Sequence, residues 1–100
     1  MNINFEMGLQ YINLGAYEKA EEALRTAIDK ETEAGNAETA AEYRCVLGEL
    51  LANLGKRKKS DAEFLLVVEY CKETGLLPKQ LEIAEGYLAK PRPGRKSTKS

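Results

Sequence analysis

One hundred residues, 43% of them hydrophobic and 31% charged, describe one folded domain, large enough to bury a core without metals or disulfides. No apolar run approaches the ~18 residues of a membrane span, the densest being Phe64-Leu65-Leu66-Val67-Val68. The N-terminus also lacks the basic-then-apolar order of a secretory signal. With no histidine and only Cys45 and Cys71, the chain has too few ligands for a zinc site. Two reduced, buried thiols in a cytoplasmic protein are expected.

Residues 3–14 read as a first helix, with Phe5, Leu9 and Ile12 on one stripe and Gly8, Tyr11 and Gly15 beside it. Asn2 and Asn4 are its candidate N-caps, and Gly15 is placed to end it. A second helix, 17–33, has an inner face of Ala20, Ala23, Leu24, Ala27 and Ile28. Glu18, Glu22, Asp29 and Glu33 lie outside, and Glu21 precedes Arg25 by four residues, the favourable order for a surface pair. Gly35 closes this helix and Asn36 is a candidate cap for the next.

The third helix, 37–54, turns Ala40, Tyr43, Leu47, Leu50, Leu51 and Leu54 inward and stops at Gly55. A fourth follows over 57–74 with Phe64, Val67, Val68 and Cys71 inward. Gly75 stops it, and Pro78 suits the first turn of a fifth helix, 78–89, whose inner residues are Leu81, Ala84 and Leu88. Pro91 and Pro93 prevent continuation. Residues 90–100 carry Lys90, Arg92, Arg95, Lys96 and Lys99 and no acid. The near-zero net charge of −1 therefore conceals an acidic body, residues 1–89, and a basic tail expected to be flexible.

A shift of 40 residues superposes Gly8 on Gly48, Asn13-Leu14-Gly15 on Asn53-Leu54-Gly55, Leu24 on Phe64 and Ala27 on Val67, without a gap. Each unit is helix, glycine turn, helix, and such a pair buries its apolar faces only by stacking on a neighbour. The pattern resembles the tetratricopeptide repeat, Trp-x2-Leu-Gly-x2-Tyr followed by Ala and by Ala-x3-Phe with a closing Pro. The first unit, about 3–34, supplies Asn4, Met7, Gly8, Tyr11, Ala20, Leu24, Ala27 and Thr32 at these positions. The second, about 37–74, supplies Arg44, Leu47, Gly48, Leu51, Ser60, Phe64 and Val67, with Arg57 where the first has Tyr17. Both lack the Trp and the Pro, and the spacing exceeds the family's usual ~34 residues. The resemblance implies an all-α, right-handed solenoid of two helix pairs capped by the fifth helix. It also places Gly8 and Ala20 face to face where the first two helices cross.

Nothing in the chain supports catalysis: no histidine, no paired nucleophile and base, no glycine-rich phosphate loop. No cofactor is expected. The resemblance implies a non-catalytic adaptor that holds a protein or peptide segment along its concave face, lined by Asn2, Phe5, Glu6, Leu9, Ile12 and Asn13 and then by Glu42, Cys45, Val46, Glu49, Ala52 and Asn53. Family members that grip a terminal carboxylate use Lys, Arg and Asn there; Phe5 and Leu9 occupy the first such positions, so that clamp is not expected. An apolar first unit and an acidic second one favour an amphipathic or basic segment. Self-association is the alternative, a homodimer that covers Phe5, Leu9 and Ile12. A nucleic-acid accessory role is a further alternative. It would use the basic turn Lys56, Arg57, Lys58 and Lys59, which opposes the helix macrodipole, and the tail residues Arg92, Arg95 and Lys96. The turn has a local reading too, with Arg57 beside Asp61 and Lys59 beside Glu63.

Overall fold

The computed structural model describes residues 2–91, and the tail beyond Pro91 lies outside them. Five helices follow one another: α1 (Ile3–Asn13), α2 (Tyr17–Glu33), α3 (Ala37–Asn53), α4 (Arg57–Thr74) and α5 (Pro78–Leu88). Each packs on its successor, and α3 also touches α5. The helices thus form two layers, α1, α3 and α5 in one and α2 and α4 in the other. The extents of 46 × 34 × 18 Å fit that arrangement, since 18 Å is about two packed helices. The fold is all-α and solenoid-like, and the expected boundaries agree with it to within a residue.

Local chemistry explains the ends. Asn2 Oδ1 accepts from the backbone N–H of Asn4 (2.9 Å) and Phe5 (3.2 Å), capping α1. Asn2 Nδ2 also donates to Glu31 Oε2 (2.8 Å) and the Ala27 carbonyl (3.3 Å), which ties the start of α1 to α2. The repeated Asn-Leu-Gly closes α1 and α3 identically. Gly15 and Gly55 take φ of 76° and 78°, a conformation that costs a glycine nothing. The following N–H groups then reach back, Ala16 to Tyr11 O (2.8 Å) and Lys56 to Leu51 O (2.9 Å). Asn36 does not cap α3 with its side chain; its Nδ2 instead donates back to Glu31 Oε1 at 2.8 Å. These two amides hold the Glu31 carboxyl below the usual carboxylate range, Asn36 more than Asn2.

The core has two parts. Ala20, Leu24, Ala27 and Ile28 of α2 meet Tyr43, Leu47, Leu50 and Leu51 of α3, with Phe5 and Ile12 of α1 packed against them. Cys45, Phe64, Val67, Cys71 and Ala84 form the second part, joined by Leu77, Leu81 and Tyr87. Gly8 lies under Leu24: a Cβ there would sit 2.8 Å from Leu24 Cδ2 and 3.6 Å from the Ala20 carbonyl. The close approach of α1 to α2 is therefore made chiefly over Leu24.

One carboxylate is buried within the stack: Glu63, 6% exposed on α4. It accepts from Arg25 of α2 (2.7 Å) and Arg44 of α3 (3.0 Å). Arg44, standing where the family has Trp, thus bridges α3 to α4. The expected Glu21–Arg25 and Lys59–Glu63 pairs give way to this arrangement. Glu21 reaches instead to Lys56 (2.9 Å), with Lys59 at 3.8 Å. An exposed i,i+4 pair contributes only a few tenths of a kcal/mol, whereas a buried carboxylate demands a partner.

Candidate functional site

The C-terminal halves of α1 and α3 run side by side and leave a cleft of about 330 Å³. Ile12 and Tyr17 line one wall, Val46, Glu49, Leu50, Asn53 and Leu54 the other. The Asn-Leu-Gly turns shape this cleft. The first turn brings Tyr17 back beside Ile12, and the second leaves Asn53 and Leu54 at the opposite rim. The lining is mainly apolar, with one carboxylate. Burial raises the Glu49 carboxyl above its ordinary value. None of the hydrogen bonds or ion pairs among the described residues involves Glu49.

The structure separates the residues expected on the concave face. Ile12, Val46, Glu49 and Asn53 line the cleft. Glu6, Leu9 and Asn13 are exposed on α1, and Glu42 and Ala52 are half-buried on α3. Three residues have other work. Asn2 is the N-cap and strut already described. Phe5 stacks face to face on Tyr43, 3.9 Å between centroids, and so joins α1 to α3. Cys45 is 3% exposed, covered where α3 meets α5, and so is not on the open face. Burial, aided by the Glu49 charge, pushes its thiol up to about 12, which leaves it protonated and unreactive at neutral pH. Tyr17, Leu50 and Leu54 line the cleft without having been expected there. Their signal was the repeated glycine turn, which sets both rims.

The basic turn is likewise largely committed within the chain. Lys56 and Lys59 approach Glu21. Arg57 Nε donates to Asp61 Oδ1 at 3.0 Å. Its Nη2 donates to the carbonyls of Tyr87 (3.0 Å) and Lys90 (2.8 Å), and Nη1 to that of Pro91 (3.3 Å). Arg57 therefore satisfies the carbonyls left open at the end of α5, which explains a cation at the wrong end of α4. Lys56, Arg57 and Lys59 thus do not form an open anion site, and Lys58 alone of the four is exposed without an ion pair among the described residues. Arg92, Arg95 and Lys96 lie outside the described residues.

Among the described residues no cluster of ligating side chains could hold a metal ion, and no helix is long and apolar enough to cross a membrane. No curated protein and no solved structure matches the chain. A family model, the tetratricopeptide repeat, matches residues 2–29, the span of α1 and most of α2. The first helix pair is therefore similar to a tetratricopeptide repeat, the unit of a family of protein–protein interaction modules.

Proposed function

We propose that the protein is a non-catalytic adaptor whose α1–α3 cleft holds an amphipathic, basic segment of a partner. The observation that carries this reading is Glu49, a half-buried carboxylate without a cation among the described residues, set among Ile12, Tyr17, Val46 and Leu54. An apolar ligand face would fill the cleft, and a Lys or Arg beside it would meet the carboxylate. Apolar anchors set the residence time of such a complex, while charges act on the rate of encounter. Residues 1–89 form the binding domain in this reading, in a cytoplasmic setting that keeps both buried thiols reduced. The test is titration of an amphipathic lysine-containing helical peptide, followed by calorimetry. Ile12→Ala is expected to weaken binding by about 2 kcal/mol if it is an anchor, and Glu49→Lys to slow association. Equal affinity for wild type and both variants would sink the cleft as the site.

Self-association is a second reading, favoured by one observation. Ile3 and Met7 on α1 and Leu14 at its C-terminal cap are 67%, 39% and 79% exposed. Their counterparts 40 residues on, Tyr43, Leu47 and Leu54, pack against the preceding helix pair. The end of an array usually carries a polar outer face, so this edge invites a cover. The dimer face is thus moved from Phe5, which stacks on Tyr43, and Ile12, which lines the cleft, to the opposite side of α1. Sedimentation at rising concentration distinguishes the outcomes: dimers abolished by Ile3→Glu support the edge, and a monomer throughout removes it.

A further inference from the structure

A second hollow, of about 240 Å³, opens on the other face of α3. Ala37, Ala40 and Ala41 of α3 line it together with Thr32 of α2 and Leu66 and Tyr70 of α4, and Arg44 is the one charged residue in the lining. At about 3.6 residues per turn, these α3 positions fall opposite Val46, Glu49 and Asn53, so one helix lines two hollows on opposite sides. The space exists because α2 and α4 touch little. Ion pairs join them instead, Lys59 to Glu21 and then Arg25 to Glu63. Past the second pair, the alanines are too small to fill the gap between the two helices.

The charge at this groove does not balance. Glu63 accepts from two guanidiniums, Arg25 at 2.7 Å and Arg44 at 3.0 Å, so one positive charge is left over. Arg44 spends only Nη1 on Glu63. Its Nε and Nη2 have no hydrogen bond among the described residues, and neither has the Tyr70 hydroxyl. A guanidinium presents its N–H groups as a planar fork that matches a carboxylate. Leu66, 44% exposed, adds an apolar wall beside it. The acids nearest in sequence, Glu33, Glu38, Glu69 and Glu73, are exposed, and none lines the hollow. They disfavour a long acidic run on approach and leave Arg44 open to a single carboxylate.

We propose that the α2–α4 groove docks a sparsely acidic segment of a protein partner, with one apolar side chain over the alanines and the neighbouring carboxylate in the Arg44 fork. The volume suits one side chain and is below that of a typical small-molecule pocket. The groove is separate from the α1–α3 cleft and does not depend on it. The two faces of α3 then offer opposite charges, the Glu49 carboxylate on one and the Arg44 guanidinium on the other. A chain built this way can hold a basic and an acidic segment at once.

The probe is an acetylated, amidated peptide of neutral polar residues with one leucine followed by one glutamate, titrated into the isotope-labelled full chain. Amide signals of Ala37, Ala40, Ala41 and Arg44 should shift saturably, while those of Ile12, Val46 and Asn53 stay in place. Changing the peptide's glutamate to glutamine, or its leucine to alanine, should weaken binding about tenfold in each case. Arg44→Gln, in which Glu63 keeps Arg25, should weaken the glutamate peptide by the same factor and leave the glutamine peptide unchanged. Such coupling between two partners does not arise from lost stability alone. Ala37→Leu, at an exposed position, should fill the hollow and block both peptides. No saturable shift, equal affinity of the wild type for the glutamate and glutamine peptides, or shifts centred on Lys58 and Lys59 would each overturn the proposal. So would groove signals that broaden with protein concentration before any peptide is added, because a second copy would then be the occupant.

Discussion

At the crossing of α1 and α2, Gly8 lies under Leu24 beside the Ala20 carbonyl. At the crossing of α3 and α4, Gly48 lies under the Phe64 ring, and its own carbonyl accepts from Ser60 Oγ at 2.9 Å. The first pair keeps closer to the family pattern and is the one matched by the family model. Yet α1 is covered on one side only, whereas α3 is packed between α1, α2, α4 and α5. The second pair departs from the pattern and is the centre of the molecule. Pattern residues report how two helices cross. How deeply the crossing is buried depends on what stacks on it.

Truncating the residue that seals each crossing tests this difference most strongly. Phe64 is fully buried and stacks on Tyr87 of α5, 4.9 Å between centroids. Phe64→Ala should cost about 3–5 kcal/mol and loosen α5 as well. Leu24→Ala should fall within about 2–5 kcal/mol and leave α5 in place. Urea unfolding measures both, and hydrogen exchange in α5 separates them. An α5 equally loosened by either change would break the comparison.

The glycines sharpen it. Alanine in a helix interior is favoured over glycine by about 1 kcal/mol, against which stands about 1–3 kcal/mol for overpacking. At Gly48 the added methyl meets three atoms of the Phe64 ring at 2.8–3.0 Å. A ring locked in the core cannot turn aside, so Gly48→Ala should destabilise. At Gly8 the obstacle is the end of a leucine, 2.8 Å to Cδ2, which has another rotamer to use. Gly8→Ala should therefore come close to neutral in thermal melts.

Outward positions contrast in the same sense. Met7→Gln should change stability by no more than about 0.5 kcal/mol, as at other exposed positions. Leu47→Gln, at the matching buried position, should cost several times that, because its amide would lack partners. The smallest expected effect is at Glu49. Its folded-state pKa is raised, so the folded chain holds that proton more tightly than the unfolded one. Its contribution to stability is full below the ordinary carboxylate range and is lost as pH rises through the raised value. Glu49→Gln should therefore raise the melting temperature slightly near pH 7 and not near pH 3.

The helices were legible because apolar spacing and four glycines mark them, and α5 because Pro78 opens it. The partition of α1 was not. Phe5 and Ile12 read as one open stripe, but Tyr43, distant in sequence, stacks on Phe5 while Ile12 stays on the cleft wall. Cys45 failed for the same reason, being covered by α5, an element without a counterpart in the first unit. The basic turn looked like a broken local rule because the carbonyls that Arg57 satisfies lie 30 or more residues away. Ile12, Val46, Glu49 and Asn53, expected from helical position alone, lie along the cleft. Its rims come from turn geometry, which fixes direction but leaves no periodic trace.

Glu63 has a consequence for how the molecule comes apart. Arrays of repeats are coupled mainly through nearest-neighbour interfaces, and their ends can fray while the rest stays folded. Here one buried carboxylate is shared by guanidiniums from α2 and α3 while it sits on α4. Peeling the first pair away removes Arg25 from it, and opening the second removes Arg44. Either event strands charge in a place poor in water, so neither pair opens without cost to the other. Amide protection in α2 should accordingly track that in α4, with α1 exchanging first: one cooperative unit spread over two repeats, hinged on a single side chain.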